Sequence, residues 1–204
     1  MKLINQNDVL NVLHNQLGHR VNPGGTDDDL KRYVQEAFNY AWRYHKWSFS
    51  LKTDTIDVDG LCPTDMDYEG YREFDGLTEV DLADTVSSSS STSIALSFDT
   101  CTGRYKINPV QAATITYQYE PPTLGSGATI ATGAAPFPSA LIIAEGALIF
   151  AKKGENPTRA DVQQEWDIFE NELKKLAGRS SNALRRRPTH YLDAAGSYVG
   201  NVGS

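Results

Sequence analysis

The chain of 204 residues carries a formal charge of −7, with 40% hydrophobic residues, 10% aromatic residues and two cysteines. That length permits one substantial core and a satellite lobe, burying about 70% of the unfolded surface. The acidic balance excludes a protein that grips duplex DNA over its whole surface. Cys62 and Cys101 are too few for a disulfide scaffold and read as free thiols in a reducing cytoplasm. No apolar run approaches the roughly 20 residues that span a bilayer, and MKLINQNDVL has no apolar signal-peptide region. The charge is uneven: residues 179–204 hold four arginines against Asp193, a balance of +3, which leaves the other 178 residues at −10.

In chain order, Val9, Leu10, Leu13 and Leu17 predict a helix over about 7–18, capped by Asn7 or Asp8 and ended by GHRVNPGG at 18–25. Thr26 caps a second helix, with Asp27, Asp28 and Asp29 at the positive end of its dipole. Leu30, Val34, Ala37, Phe38, Ala41 and Tyr44 or His45 carry its apolar stripe to residue 46. From Trp47 to Val58 the period becomes two, placing Phe49, Leu51, Thr53 and Thr55 on one strand face. A turn at Gly60 and an acidic, aromatic stretch over 61–83 follow, with a short strand near TEVDL. SSSSSTS (87–93) reads as a loop tip or linker, because serine runs bury too little to order themselves. IALSF (94–98), RYKIN (104–108) and ATITYQY (113–119) read as strands.

PPTLGSGATIATGAAPFP (121–138) is a return loop. Its GSGAT lacks the Lys-Ser/Thr of a phosphate-cradling loop, and Ile130 stands where a dinucleotide fingerprint needs its third glycine. A third helix from Pro138 to Lys153 is apolar on nearly every side, which predicts a central buried helix. Asn156 caps a fourth, with Pro157 at its first turn and Gly178 closing it. Val162, Trp166, Phe169, Leu173 and Leu176 form a narrow seam along that helix. The expected fold is α+β, mainly α. A four-helix bundle is built from 1–50 and 136–178, a β-rich lobe is inserted over 51–135, and an extended C-terminal arm covers 179–204.

A search for chemistry returns little. His14, His19, His45 and His190 are scattered, with no zinc or protease spacing, and no GxSxG is present. No metal, cofactor or catalytic residue is expected. TDTIDVDG (53–60) lacks the spacing and closing Glu of a calcium loop and suits an exposed strand edge. Asp65, Asp67, Glu69, Glu73, Asp75, Glu79, Asp81 and Asp84 show no paired basic or metal-binding context and read either as a solvated face or as a surface that repels phosphates, as a DNA-conducting channel needs. The tail, with Arg185, Arg186, Arg187, Tyr191, Leu192 and Tyr198, reads as an arm that orders on a partner.

FNYAWRYHKWSFSLKTDTI (38–56), a helix ending in an aromatic W-x-F turn and then a Lys/Thr strand, resembles tailed-bacteriophage head-to-tail adaptor proteins, also called connectors or tubular adaptors. CPTDM (62–66) partly matches their Leu-Pro-x-Asp-Phe turn, departing at Cys62 and Met66, and residues 140–176 look like their late helical hairpin. The resemblance implies a virion protein assembled as a twelve-fold ring beneath the portal protein. A downstream nozzle, stopper or tail terminator would lie below it, and genomic DNA would pass through without sequence-specific contact. It also implies that Arg185, Arg186, Arg187, Tyr191, Leu192 and Tyr198 dock on the portal, while Trp42, Trp47 and Phe49 fix the lobe's angle to the bundle. The alternatives are a stopper or terminator ring, a cytosolic ligand-binding module or enzyme, and a regulatory protein that binds through the Val162–Trp166–Phe169 seam.

Overall fold

The computed structural model describes residues 2–15, 27–56, 59–74, 77–82, 95–108, 110, 113–154 and 159–185. In chain order these form β1 (Leu3–Ile4), α1 (Gln6–Asn15), α2 (Asp27–Arg43), β2 (Leu51–Ile56), α3 (Tyr68–Phe74), β3 (Leu77–Leu82), β4 (Ala95–Asp99), β5 (Arg104–Asn108) and β6 (Ala113–Gln118). A 3-10 turn (Ile130–Thr132), β7 (Ala135–Pro136), α4 (Ala140–Gly154) and α5 (Arg159–Arg185) complete them. The expectations placed on Thr26, the serine run, Asn156, Pro157, Arg186, Arg187, Tyr191, Leu192 and Tyr198 lie outside the described residues.

The apolar α4 is central, as its composition predicts. Its Ile143, Ala144 and Ala147 are buried with Val9 and Leu13 of α1, Val34, Ala37, Phe38 and Ala41 of α2, and Phe169 and Leu173 of α5. Small residues let the helices approach. A Cβ built on Gly146 would sit 2.8 Å from the Phe169 ring and 3.0 Å from the Ala37 Cβ, so only glycine fits where α2, α4 and α5 converge.

The expected four-helix bundle is corrected, while the class is not plainly different from the α+β expected. Among the described residues five helices and three small antiparallel sheets form, roughly 50% helix and 22% strand. The helices are too unequal for a bundle: α1 spans about 15 Å and α5 about 40 Å. Three of them instead pack around α4, and the β1–β7 pair, joined at Leu3–Pro136 and Ile4–Ala135, closes the body. α3 arises within a stretch read as acidic and aromatic, where no helix was expected. It begins because Asp67 caps it, the carboxylate accepting from Gly70 N at 2.8 Å.

Several boundaries also move. Asn5, rather than Asn7 or Asp8, caps α1: its Oδ1 accepts from Asp8 N at 2.9 Å, and Asp8 Oδ2 accepts from Asn5 N at 3.1 Å. α2 stops at Arg43 and the strand starts at Leu51, so Trp47 and Phe49 sit in a turn rather than on a strand face. α5 runs through Gly178 to Arg185, so the segment after 178 begins as helix. Gly178 does not adopt the left-handed conformation that would make it a C-cap.

The lobe is an antiparallel β2–β6–β3 sheet with the β4–β5 hairpin beside it. Its core holds Ile56, Cys62, Met66, Ile107, Ala113, Ile115 and Tyr117, the last three alternating along the central β6 as sequence periodicity requires. β2 is an edge strand with four exposed central residues, as read for TDTIDVDG. Leu124, Ala135 and Phe137 of the return loop belong to the body's core. The loop's two strands meet closely, Gly125 N donating to Gly133 O at 2.8 Å, and a Cβ on Gly133 would lie 2.5 Å from Gly125.

Gly146→Ala is expected to destabilise the protein by about 1–3 kcal/mol through overpacking, although alanine outranks glycine in a helix by about 1 kcal/mol. A lowered urea midpoint at unchanged slope would show it; a raised midpoint would contradict the convergence argument.

Candidate functional site

The two cores meet where α2 ends. The last turn of any helix leaves carbonyls without intrahelical partners, and here side chains from elsewhere supply the donors. Trp47 Nε1 donates to Ala41 O at 2.9 Å. Gln118, buried at the end of β6, donates its amide to Trp42 O at 2.7 Å, to His45 O at 3.3 Å and to Ser50 Oγ at 3.0 Å. Trp42 Nε1 returns a bond to Tyr119 O at 2.9 Å. These bonds explain why the helix stops at Arg43: the Trp47 indole and the Gln118 amide take over its terminal carbonyls.

Rings fill the space between. Trp47 stacks on Phe49 with centroids 5.7 Å apart and planes 5° from parallel. Trp42 meets Phe49 at 5.5 Å and Tyr119 at 5.2 Å, and Phe137 closes edge-on against Trp47, Phe49 and Phe38. Trp42 and Trp47 are fully buried and Phe49 half-buried. The three junction residues read from sequence therefore sit together, and Tyr119 packs against both cores. His45 lies edge-on to Trp47 as a packing residue.

A second tie escaped the sequence reading. Arg43, in the last turn of α2, grips Asp67 at the head of α3 with two charged hydrogen bonds, Nε to Oδ2 at 2.7 Å and Nη2 to Oδ1 at 3.0 Å. The Asp67 side chain is 0% exposed and that of Arg43 14%. Glu69, on the surface, accepts from Arg43 Nη1 at 2.9 Å. The ends of two helix dipoles face each other here, the cation at a C-terminus and the anion at an N-terminus. The acidic stretch is thus not uniformly a solvated face without cations. Asp65 pairs with Lys52 and accepts from Tyr117 OH at 2.7 Å. Burial raises the Asp65 carboxyl, but the Lys52 and Tyr117 bonds outweigh it and hold it below its usual range. A local signal for Asp67 did exist: an N-cap residue directly before YEGYREF. Gly70 in the first turn leaves room for the cap, since a Cβ there would strike Asp67 Oδ2 at 2.5 Å.

Of the helix seam, Phe169 and Leu173 are buried in the body, while Val162, Trp166 and Leu176 are half-buried beside it. The Tyr40 ring lies 4.8 Å from Trp166, and Tyr40 OH and Trp166 Nε1 both donate to Glu170 Oε1, at 2.8 and 3.0 Å. The seam's partner is therefore the chain's own α2 and α4. Of the arm residues, only Arg185 is described, as the last residue of α5.

Among the described residues two concavities are candidates for a ligand. A polar cleft of about 360 Å³ is lined by Asp54, Asp59, Asp65, Thr64 and Arg104. A groove of about 180 Å³ lies between α4 and α5. Among the described residues no group of three or more His, Cys, Asp or Glu is placed to hold a metal ion, and no helix is long and apolar enough to cross a membrane.

Replacing Arg43 by Met should cost about 3–5 kcal/mol in chemical denaturation, because it leaves Asp67 buried and unpaired, while Arg43→Met with Asp67→Leu should recover a large part. A cost under about 1 kcal/mol for the single change would show that Asp67 finds other partners or water. In the lobe, burial pushes the Cys62 thiol from 9.0 up to about 11, with Arg104 pulling the other way. Because the folded pKa is raised, the thiol's contribution to stability is intact below pH about 9 and is lost as pH climbs towards about 11. In native protein near pH 8 a thiol reagent should modify the exposed Cys101 quickly and Cys62 only after unfolding. Neither a family model nor a curated protein matches this sequence.

Proposed function

We propose that this chain is a structural subunit of the tailed-phage head-to-tail junction, without catalysis or cofactor. It assembles as a ring, twelve-fold by the resemblance, between the portal protein and a downstream nozzle, stopper or tail terminator. Genomic DNA passes through the ring without sequence-specific contact, and the net negative charge of the chain disfavours phosphates sticking to it.

One observation carries the reading. The buried Gln118, Ser50 and Asp67, the part-buried Arg43 and the surrounding rings are spent on fixing two separately cored units at one angle. A ring subunit that must present one surface upward and another downward needs that rigidity. In this reading the body contacts its neighbours and, through Arg185, Arg186, Arg187, Tyr191, Leu192 and Tyr198, the portal, while the lobe projects towards the tail or the channel. A second reading, a module for a small polar ligand, draws on the cleft at Asp54, Asp59, Asp65 and Arg104, where Arg104 Nε is buried without a hydrogen-bond partner.

A chain ended after Arg185 should keep the far-UV circular dichroism of the body and lobe, since the described core side chains lie before that point. It should also lose capture by portal rings in a pull-down. Capture at the level of the full chain would remove the arm from the mechanism.

A further inference from the structure

β2 is an edge strand: the sheet runs β2–β6–β3, and no strand or bridge lies on the outer side of β2 among the described residues. Its central residues, Lys52 to Thr55, are all exposed. The phase of its backbone follows from one bond. Tyr119 N donates to Ser50 O at 3.1 Å, so Ser50 turns its carbonyl towards the β6 side. The register from Leu51–Gln118 to Ile56–Ala113 is unbroken, and antiparallel strands alternate between bonded and non-bonded pairs. Lys52, Asp54 and Ile56 therefore bond inward, while Leu51, Thr53 and Thr55 turn their N–H and C=O groups to the free edge. Thr55 agrees: its N–H donates not to β6 but to the neighbouring Asp54 Oδ1, at 2.8 Å.

Charged side chains commonly blunt an exposed edge, and Lys52 and Asp54 fit that reading until the incoming strand is β2 itself. Outward-facing groups pair only with outward-facing groups, so few registers keep most of the strand paired with an antiparallel copy. With the two-fold axis at Lys52, ammonium faces ammonium. With it at Asp54, carboxylate faces carboxylate. With it at Thr53, Thr53 faces its own copy, Leu51 faces Thr55, and each pairing exchanges both backbone bonds. Lys52 of each copy then lies opposite Asp54 of the other, at the non-hydrogen-bonded positions where side chains come closest. Trp47 and Phe49, just before β2, pack in the body's core, so antiparallel pairing sends the two bodies to opposite ends of the joined sheet.

We propose that the β2 edge docks a second copy of this chain, antiparallel about Thr53, joining the three-stranded sheets of two lobes into one continuous sheet. Asp54 gives up the Thr55 N–H to the partner's Leu51 carbonyl and turns to the partner's Lys52, whose other acidic neighbour is its own Asp65. Two short strands bury far less than the roughly 1,200 Å² of a stable interface, so the pair is weak, with a dissociation constant on the order of 0.1 mM. A two-fold contact closes on itself and does not extend around a ring. It therefore belongs to the free chain, stands apart from the ring reading, and parts before copies enter a ring.

Sedimentation equilibrium of the full chain, from about 5 µM to about 1 mM, reads the pair directly. The mass is expected to climb from 22.5 kDa towards twice that value. Asp54→Lys or Lys52→Asp alone sets like charges opposite each other and should weaken association about tenfold or more. Mixing the two variants should restore it, because one copy then carries a basic edge and the other an acidic edge. Thr53→Pro removes an outward N–H that the fold does not use, which an edge strand tolerates, and should abolish pairing with circular dichroism unchanged. A monomer at every concentration overturns the contact, as does pairing that survives Thr53→Pro or fails to return on mixing. Larger rings formed by the free chain, indifferent to these variants, refute this contact and leave the ring reading standing.

Discussion

A fully buried aspartate is tolerable as an anion only when its charge is met at close range, and the joint between body and lobe turns on that constraint. Arg43 meets Asp67 with a two-pronged contact, and the same carboxylate caps α3. One carboxylate therefore starts α3 and, through Arg43, ties the first core to the second. Breaking either partner leaves a desolvated charge, which gives the angle between the units an energetic penalty for change. The stacked and tilted rings of Trp42, Trp47, Phe49, Phe137 and Tyr119 then fill the volume around this tie.

Gln118 performs the matching task in neutral chemistry. Its amide is spread over three acceptors from the end of α2 and the following turn, so the end of β6 is pinned to the body. Around the other side of the body, Gly146 lets α2, α4 and α5 converge without a side chain between them. Both devices favour rigidity over a deep, adaptable cavity. A rigid joint of this kind suits a protein that works by presenting surfaces to neighbours.

The apolar spacings of α2, α4 and α5 and the alternation of β6 were legible because each records burial on one face, or on all faces for α4. The aromatic junction was legible too, since rings crowded over residues 38–49, where the period changes, must find a shared apolar space to leave water. Helix ends were not. α2 stops at Arg43 because Trp47 and Gln118, 4 and 75 residues away in sequence, take its carbonyls. α5 continues through Gly178 because that glycine keeps a helical backbone. The bundle expectation failed for a related reason: periodicity gives a helix its buried face but not its partner, and α1 is too short to match α5. Asp67 was read as one more surface acid because pairing with Arg43 across 24 positions leaves no local pattern.

The central claim is that this chain is a rigid brick whose place is in a ring. Cryo-electron microscopy of the purified protein mixed with portal rings tests it most directly. The account predicts a closed ring of copies seated on the portal, every lobe at the angle set by Arg43 and Asp67. Portal rings bare of this protein, or copies attached singly with lobes at varied angles, would contradict it.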